Sequence, residues 1–440
     1  MQAGLKNNKN TASGRELKYV LLFFSVLFCL LNLHLWLLSY SEFINFWAES
    51  FSVSDRLSKI RESFSPYNYF MLRIHALAFQ IILCTALIYV FKKSMKSPLL
   101  SGEAMHSFSS VFHSISNRFK ALSKAQKFFL CSVFAIFMTQ NILLLFYLPF
   151  DIDEIWLYMA FKNKNPVFTL LWYPIPGNHI LYSFLAHSIL KIDSSFHYLI
   201  RIPAVLGSAV SFVALFFLLN DLFKFRIAII GLIIFYSFSP IIYYSVAARG
   251  YSFNILCTLV LICSVYRIIF YNDRRFIYIG IIASVFGIFS IPTFIYNLAS
   301  VMACWLIFIL FYKKSTFRLL IQFNLAIFLL SYLLYQPTFI FSGYSAVFKN
   351  GYVVSKNIHE IAATFGSHYS EAAAWLISGH TFDIFIIISA IILGAIFVFF
   401  TRNTEHAFML ILSVVLLIFP YGFGLLQRVL VPPAVLCYTC

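Results

Sequence analysis

Apolar runs, each close to the length of a bilayer crossing, recur along the whole chain. A helix rises about 1.5 Å per residue, so roughly 20 apolar residues cross a hydrocarbon core of about 30 Å. Eleven runs fit that length and are expected to span, at 18–40, 72–91, 128–149, 200–220, 227–246, 252–271, 276–296, 298–312, 319–341, 382–400 and 406–427. They are long and apolar all round, without the short alternating segments of a β-barrel, so they read as helices. The first run follows Lys6, Lys9, Arg15 and Lys18 but is too long for a signal peptide and lacks a small-x-small cleavage site, which predicts a retained anchor. The expected fold is an all-α polytopic membrane protein.

Spacing of the runs divides the chain. Residues 1–127 form a transmembrane hairpin and a Ser- and Lys-rich loop from Lys92 to Lys127. Residues 128–440 form a tighter unit interrupted by two longer segments, 150–199 and 342–381. In the first, Leu181, Phe184, Leu185 and Ile189 recur at helical spacing, while His179, Ser183, His187 and Lys191 fall on another face. This helix is too short to cross and is expected to lie in the interface. A second surface helix is expected around Asn357 to Ile377.

Composition agrees with the pattern: 61% of the residues are hydrophobic and 11% charged, outside the range of a soluble domain. The net charge of +16 gains meaning from its placement. With the N-terminus inside, 20 of the 32 basic residues but five of the 16 acids fall in inside segments, as the positive-inside rule requires. The basic charge therefore reports topology and attraction to anionic lipid, not nucleic-acid binding. Most of the eight cysteines lie inside spans and suggest no disulfide framework. The same topology puts Asp151, Asp153, Glu154, Arg201, Arg249 and Arg428 outside.

Three stretches carry candidate chemistry. In "LPFDIDEIWLYMAF", three carboxylates follow a span within four positions. Charge buried in hydrocarbon costs about 2.5–3.5 kcal/mol on insertion scales, so the cluster must face water, a partner or a substrate. One carboxylate can take a proton while its neighbour orients the acceptor or an active-site base. Asp151 and Asp153 could instead share a divalent cation, and acids at a helix N-terminus are favourable in any case. "PGNHILYSFLAHSIL" places Asn178 and His179 at the start of the short helix; His179 and His187, about 12 Å apart along it, cannot share a metal ion. "SPIIYYSVAARGYSF" sets Arg249 among Tyr243, Tyr244 and Tyr251, where a guanidinium can hold a phosphate or simply snorkel from an aromatic belt. Arg201 reads as a partner for an acid, and Arg428 as a second external anion site.

Taken in order, Asp153-Glu154, Asn178-His179 with Leu181-Tyr182, "LIRIPAVLGSAV" and "SPIIYYSVAARGYSF" resemble the membrane glycosyltransferases of the GT-C superfamily. The likeness is to the branch of dolichyl-phosphate-mannose protein mannosyltransferases and lipid A aminoarabinose transferases, and runs from about Phe128 to Ala434. It implies transfer of a hexose or pentose from a polyprenyl-phosphate carrier to a glycan, lipid or protein acceptor, usually with inversion. Carried over, Asp153 is the general base, Glu154 helps place the acceptor and Arg249 binds the carrier phosphate. Asp151, Asn178, His179, Tyr182, Arg201, Tyr244, Tyr251 and Arg428 then line the substrate site. This branch is generally metal-independent, so no cofactor is expected to be required. Ile180 stands where the family has proline, and the N-terminal hairpin has no counterpart there. The expected location is a bacterial cytoplasmic membrane, with the endoplasmic reticulum membrane as the alternative. A lipid or solute transporter is the rival reading, for which ionisable residues belong near mid-membrane on broken helices.

Overall fold

The computed structural model describes residues 26–427 except 27–28, 31, 51–56, 93–102, 163, 174–177, 312–315, 344–345, 348–356, 358, 361–362, 365 and 368–381. Arg428 lies outside the described residues, as does most of the helix expected around 357–377. The described chain is helical, with no strand among the described residues. The helices are α1 (Tyr40–Ser50), α2 (Leu57–Ser63), α3 (Pro66–Lys92), α4 (Glu103–Ala121), α5 (Lys124–Tyr147), α6 (Ile152–Phe161), α7 (Ile180–Leu190) and α8 (Ile202–Leu222). They continue with α9 (Phe225–Phe235), α10 (Ser239–Tyr244), α11 (Tyr251–Tyr271), α12 (Arg275–Ser290), α13 (Phe294–Phe311), α14 (Phe317–Ser342), α15 (Phe382–Thr401) and α16 (Thr404–Gln427).

Five helices among the described residues are long and apolar enough to cross a membrane: Lys124–Tyr147, His197–Leu222, Tyr251–Tyr271, Phe294–Phe311 and Phe317–Phe339. The three largest apolar clusters among the described residues each include side chains from them. One joins α11, α12, α13, α14 and α16 through Leu261, Val265, Val301, Trp305, Phe323 and Phe408. A second joins α5, α8, α9 and α11 through Phe137, Phe212, Phe216, Leu232 and Leu259. The third buries Phe43, Phe64, Tyr69 and Leu72 of the N-terminal helices in one cluster with Leu157 and Phe161 of α6 and Tyr182 of α7. The hairpin set apart by the sequence pattern is thus packed against the segment that carries the acids.

Several expected elements differ. The run 227–246 is two helices, α9 and α10, because Pro240 starts a new helix after a turn at 236–238. The run 276–296 ends at Ser290, where Ile291 is extended ahead of Pro292, and α13 begins at Phe294. Within the polar stretch 92–127 lies the amphipathic α4, separated from α5 by Ser123, whose hydroxyl accepts from the Gln126 N–H in a capping box.

The short helix α7, expected in the interface, turns its polar face toward the protein. Ser183 and His187 are buried, whereas Leu181, Phe184, Leu185 and Ile189 stay partly exposed. Buried polar groups need partners, and the polar side of α7 finds them within the protein. The Ser183 hydroxyl donates to Asn178 Oδ1 at 2.7 Å, and the His187 ring meets Phe161 edge-on at 5.1 Å.

Helix α8 separates two polar ends. Arg201 and Asp221 are 20 residues apart, about 30 Å along a helix. At the far end Asp221 takes both Arg118 of α4 and Arg267 of α11. At the near end Arg201 organises the site described next.

Trp305 is fully buried, so Trp305→Ala should cost about 3–5 kcal/mol by leaving a cavity. Phe311→Ala, on a side chain 77% exposed, should cost less than about 0.5 kcal/mol. Thermal unfolding of the detergent-purified protein compares the two.

Candidate functional site

The site begins with orphaned carbonyls. Helix α5 ends at Tyr147, and its terminal C=O groups have no partners within the helix. Arg201 supplies them: Nη1 donates to the carbonyls of Leu145 (3.0 Å) and Leu148 (2.8 Å), and Nη2 to that of Pro149 (3.0 Å). A cation at a helix C-terminus also opposes the helix dipole. The remaining donors meet Glu154, Nε on Oε1 at 3.0 Å and Nη2 on Oε2 at 2.6 Å. All five guanidinium donors are used, and the Phe150 ring lies 4.1 Å from the guanidinium carbon.

Glu154 is equally saturated. Besides Arg201, Oε2 accepts the Asp151 N–H at 3.0 Å and Oε1 accepts the Ala248 N–H. Both side chains of the pair are completely buried. The expected role of Glu154 in placing an acceptor, and of Arg201 in binding substrate, is therefore replaced by a structural one: their polar atoms are consumed inside the protein. Together they tie the end of α5, the start of α6, the start of α8 and the loop 245–250.

That loop carries Arg249. The pair fixes Ala248, and His179 fixes Gly250, whose N–H donates to His179 Nδ1 at 2.7 Å. Gly250 has no room for a side chain, since a Cβ there would sit 2.7 Å from Ser290 Oγ and 3.1 Å from His179 Cβ. The His179 ring packs edge-on against Tyr251 at 5.1 Å. Burial pushes its imidazole down to about 4 and keeps it neutral, as an Nδ1 acceptor requires.

Held in this way, Arg249 forms ion pairs with Asp153, and with Asp151 at 3.7 Å. Asp151 also accepts from the Tyr243 hydroxyl at 3.0 Å. These groups keep an open side: the side chains of Asp151, Asp153 and Arg249 are 35%, 38% and 15% exposed. The two carboxylates that could have shared a divalent cation share the guanidinium. This trio can bind an anion at the arginine and take a proton at a carboxylate.

The other expected substrate residues face inward. Asn178 donates to the carbonyls of Thr169 (3.3 Å) and Trp172 (2.6 Å), bracing the turn Pro166–Leu170. The Tyr182 hydroxyl donates to the Ile200 carbonyl at 2.6 Å. Tyr244 and Tyr251 are buried against each other, with ring centroids 4.6 Å apart. They position the loop from behind. The Ala248 N–H carries no side-chain signal, whereas Tyr243 belongs to the motif that flagged Arg249.

Comparison with family models, with curated proteins and with solved structures finds no match. The GT-C resemblance therefore rests on the motifs themselves.

His179 also makes a prediction about pH. Its unfolded-state value of about 6.5 exceeds the folded value of about 4, so the unfolded chain binds the extra proton between them. Stability from the neutral ring is complete above pH 6.5 and declines as pH falls to 4, by about 3 kcal/mol at most. Unfolding midpoints measured at pH 7.5, 5.5 and 4.5 should fall less steeply for His179→Gln than for the parent.

Proposed function

We propose that this chain is a glycosyltransferase that moves a sugar from a polyprenyl-phosphate carrier to an acceptor at the extracytoplasmic face. The observation that carries the reading is the meeting of Asp151, Asp153 and Arg249 in a partly open site at one end of the bundle. About eleven spans with the N-terminus inside are part of the same proposal. That topology places the site on the side poor in basic residues, the outer face of a bacterial cytoplasmic membrane.

The chemistry follows from the two open charges. Arg249 in the free protein is neutralised by carboxylates, so an arriving carrier phosphate competes with Asp153 for the guanidinium. Phosphate binding releases the Asp153 carboxylate. The acceptor oxygen then bonds to the anomeric carbon while its proton passes to Asp153. The bond from that carbon to the carrier oxygen breaks, and its electron pair leaves on the phosphate beside Arg249. Asp151, hydrogen-bonded to Tyr243, stays as the counter-charge that keeps Arg249 in place.

Placement of charge favours this over a transporter. A transport pathway calls for ionisable groups near mid-membrane. In the five long apolar helices, the paired charges Arg201, Asp221 and Arg267 stand at or near helix ends.

Purified protein incubated with a panel of polyprenyl-phosphate sugars and with glycan, lipid and peptide acceptors should release free carrier phosphate. Asp153→Asn should lower turnover about 10²–10⁴-fold, the range for loss of a general base. Arg249→Ala should weaken use of the lipid donor. Parental turnover in Asp153→Asn would remove the base, and unchanged donor affinity in Arg249→Ala would remove the phosphate role.

A further inference from the structure

Beyond the acids, α6 presents an unusual aromatic wall. Trp156 stands three residues after Asp153, on the same side of the helix and about 4.5 Å further along its axis. Its ring lies 6.3 Å from that of Trp172, the planes tilted by 33°. Both indoles are partly exposed. Behind them the fully buried Phe161 meets both rings edge-on, at 5.9 and 5.7 Å, and the fully buried Phe168 stacks on Trp172 at 5.4 Å. Asn178 grips the Trp172 carbonyl. The wall is rigid on its inner side and partly open on its outer side.

The most exposed side chains of α6 are Ile152, Met159 and Ile155, at 78%, 70% and 48%. Trp156 stands between this aliphatic stripe and the acid, four residues after Ile152 and three after Asp153. It therefore borders a carboxylate on one side. A pyranose ring offers a face of C–H groups that suits the electron-rich face of an indole, and a rim of hydroxyls that suits a carboxylate.

We infer that Trp156 and Trp172 form a stacking platform for a saccharide acceptor, which Asp153 deprotonates. This rests on the transferase reading and narrows its acceptor to carbohydrate hydroxyls. The side follows from direct displacement: the leaving phosphate and the attacking hydroxyl lie on opposite sides of the anomeric carbon. Arg249 meets the acids at the start of α6, and Trp156 lies one turn beyond them. The guanidinium therefore serves the donor and the indoles the acceptor.

Binding can be read without turnover by saturation-transfer NMR on the full chain in detergent. The probes are the methyl glycosides of glucose, galactose, mannose and N-acetylglucosamine, with the peptide acetyl-Ala-Ser-Ala-amide as the sugar-free alternative. Ring protons of at least one glycoside should receive saturation from the parent protein. The signal should fall at least fivefold in Trp156→Leu, which keeps apolar bulk without a π face, and largely persist in Trp156→Phe. Trp172→Leu provides a second test should Trp156→Leu fail to fold. Glycoside signals equal in the parent and the folded Leu variants, no glycoside signal at all, or a signal from the peptide alone would overturn the platform.

Carrier-phosphate release separates the two readings. Release from a lipid donor, with a saccharide KM that Trp156→Leu does not change, sinks the platform and spares the transferase. Trp156-dependent saccharide binding with no release from any lipid donor spares the platform and sinks the transferase. Where both hold, Trp156→Leu should raise the saccharide KM about tenfold and leave the donor KM unchanged.

Discussion

A fully buried ion pair, Glu154 with Arg201, determines where everything else in the site stands. Burying two charges costs several kcal/mol per ion, which their attraction offsets only when every remaining donor and acceptor is also matched. Here the matching is complete, because the end of α5 supplies three carbonyls and the Asp151 and Ala248 amides fill the carboxylate. Four segments distant in sequence are locked at one point. Removing either partner would leave the other's charge buried and unpaired, and removing Arg201 would also free the helix-end carbonyls in apolar surroundings, where neither finds water.

The lock gives the open charges their geometry. Asp151 and Asp153 precede Glu154 by three residues and one at the start of α6, and Arg249 follows Ala248 in the loop. Fixing Glu154 against Ala248 therefore brings the two acids and the arginine within reach of one another. His179 and Gly250 complete the hold on the loop from its other side. A division of labour results: saturated, buried polar groups hold position, while partly exposed neighbours one to three residues away remain free to exchange partners. On the proposed reading, that exchange is what couples donor binding to release of the base.

Much of this was legible in the sequence, for physical reasons that also mark where legibility stopped. Long apolar runs specify membrane helices because a helix satisfies its own backbone within one segment, whereas a barrel strand would show short alternating patterning. Runs that reach a proline, at Pro240 and Pro292, divide in ways that hydropathy alone does not register. The acids and Arg249 could be singled out because charge at a membrane boundary requires a partner, and Arg201 already read as the partner of an acid. What the sequence left open was which carboxylate it would take, since Asp153 and Glu154 are adjacent and their burial depends on elements about 50 and 90 residues away. Asn178, His179 and Tyr182 misled in the same direction: polar residues near a site serve equally well to hold its loops. The periodicity of helix α7 left the direction of its polar face open, because it is the same whether that face turns to water or to a polar seam in the protein.

The buried pair holds the site only if it acts as one unit, and a double-mutant cycle measures that directly. Unfolding free energies would be compared for the parent, Glu154→Gln, Arg201→Gln and the double variant. Each single change should cost about 3–5 kcal/mol, and the double variant should be more stable than their sum by about 2 kcal/mol or more, because the second substitution removes an already unpaired charge. Additivity within about 0.5 kcal/mol would show two independent side chains and contradict the lock.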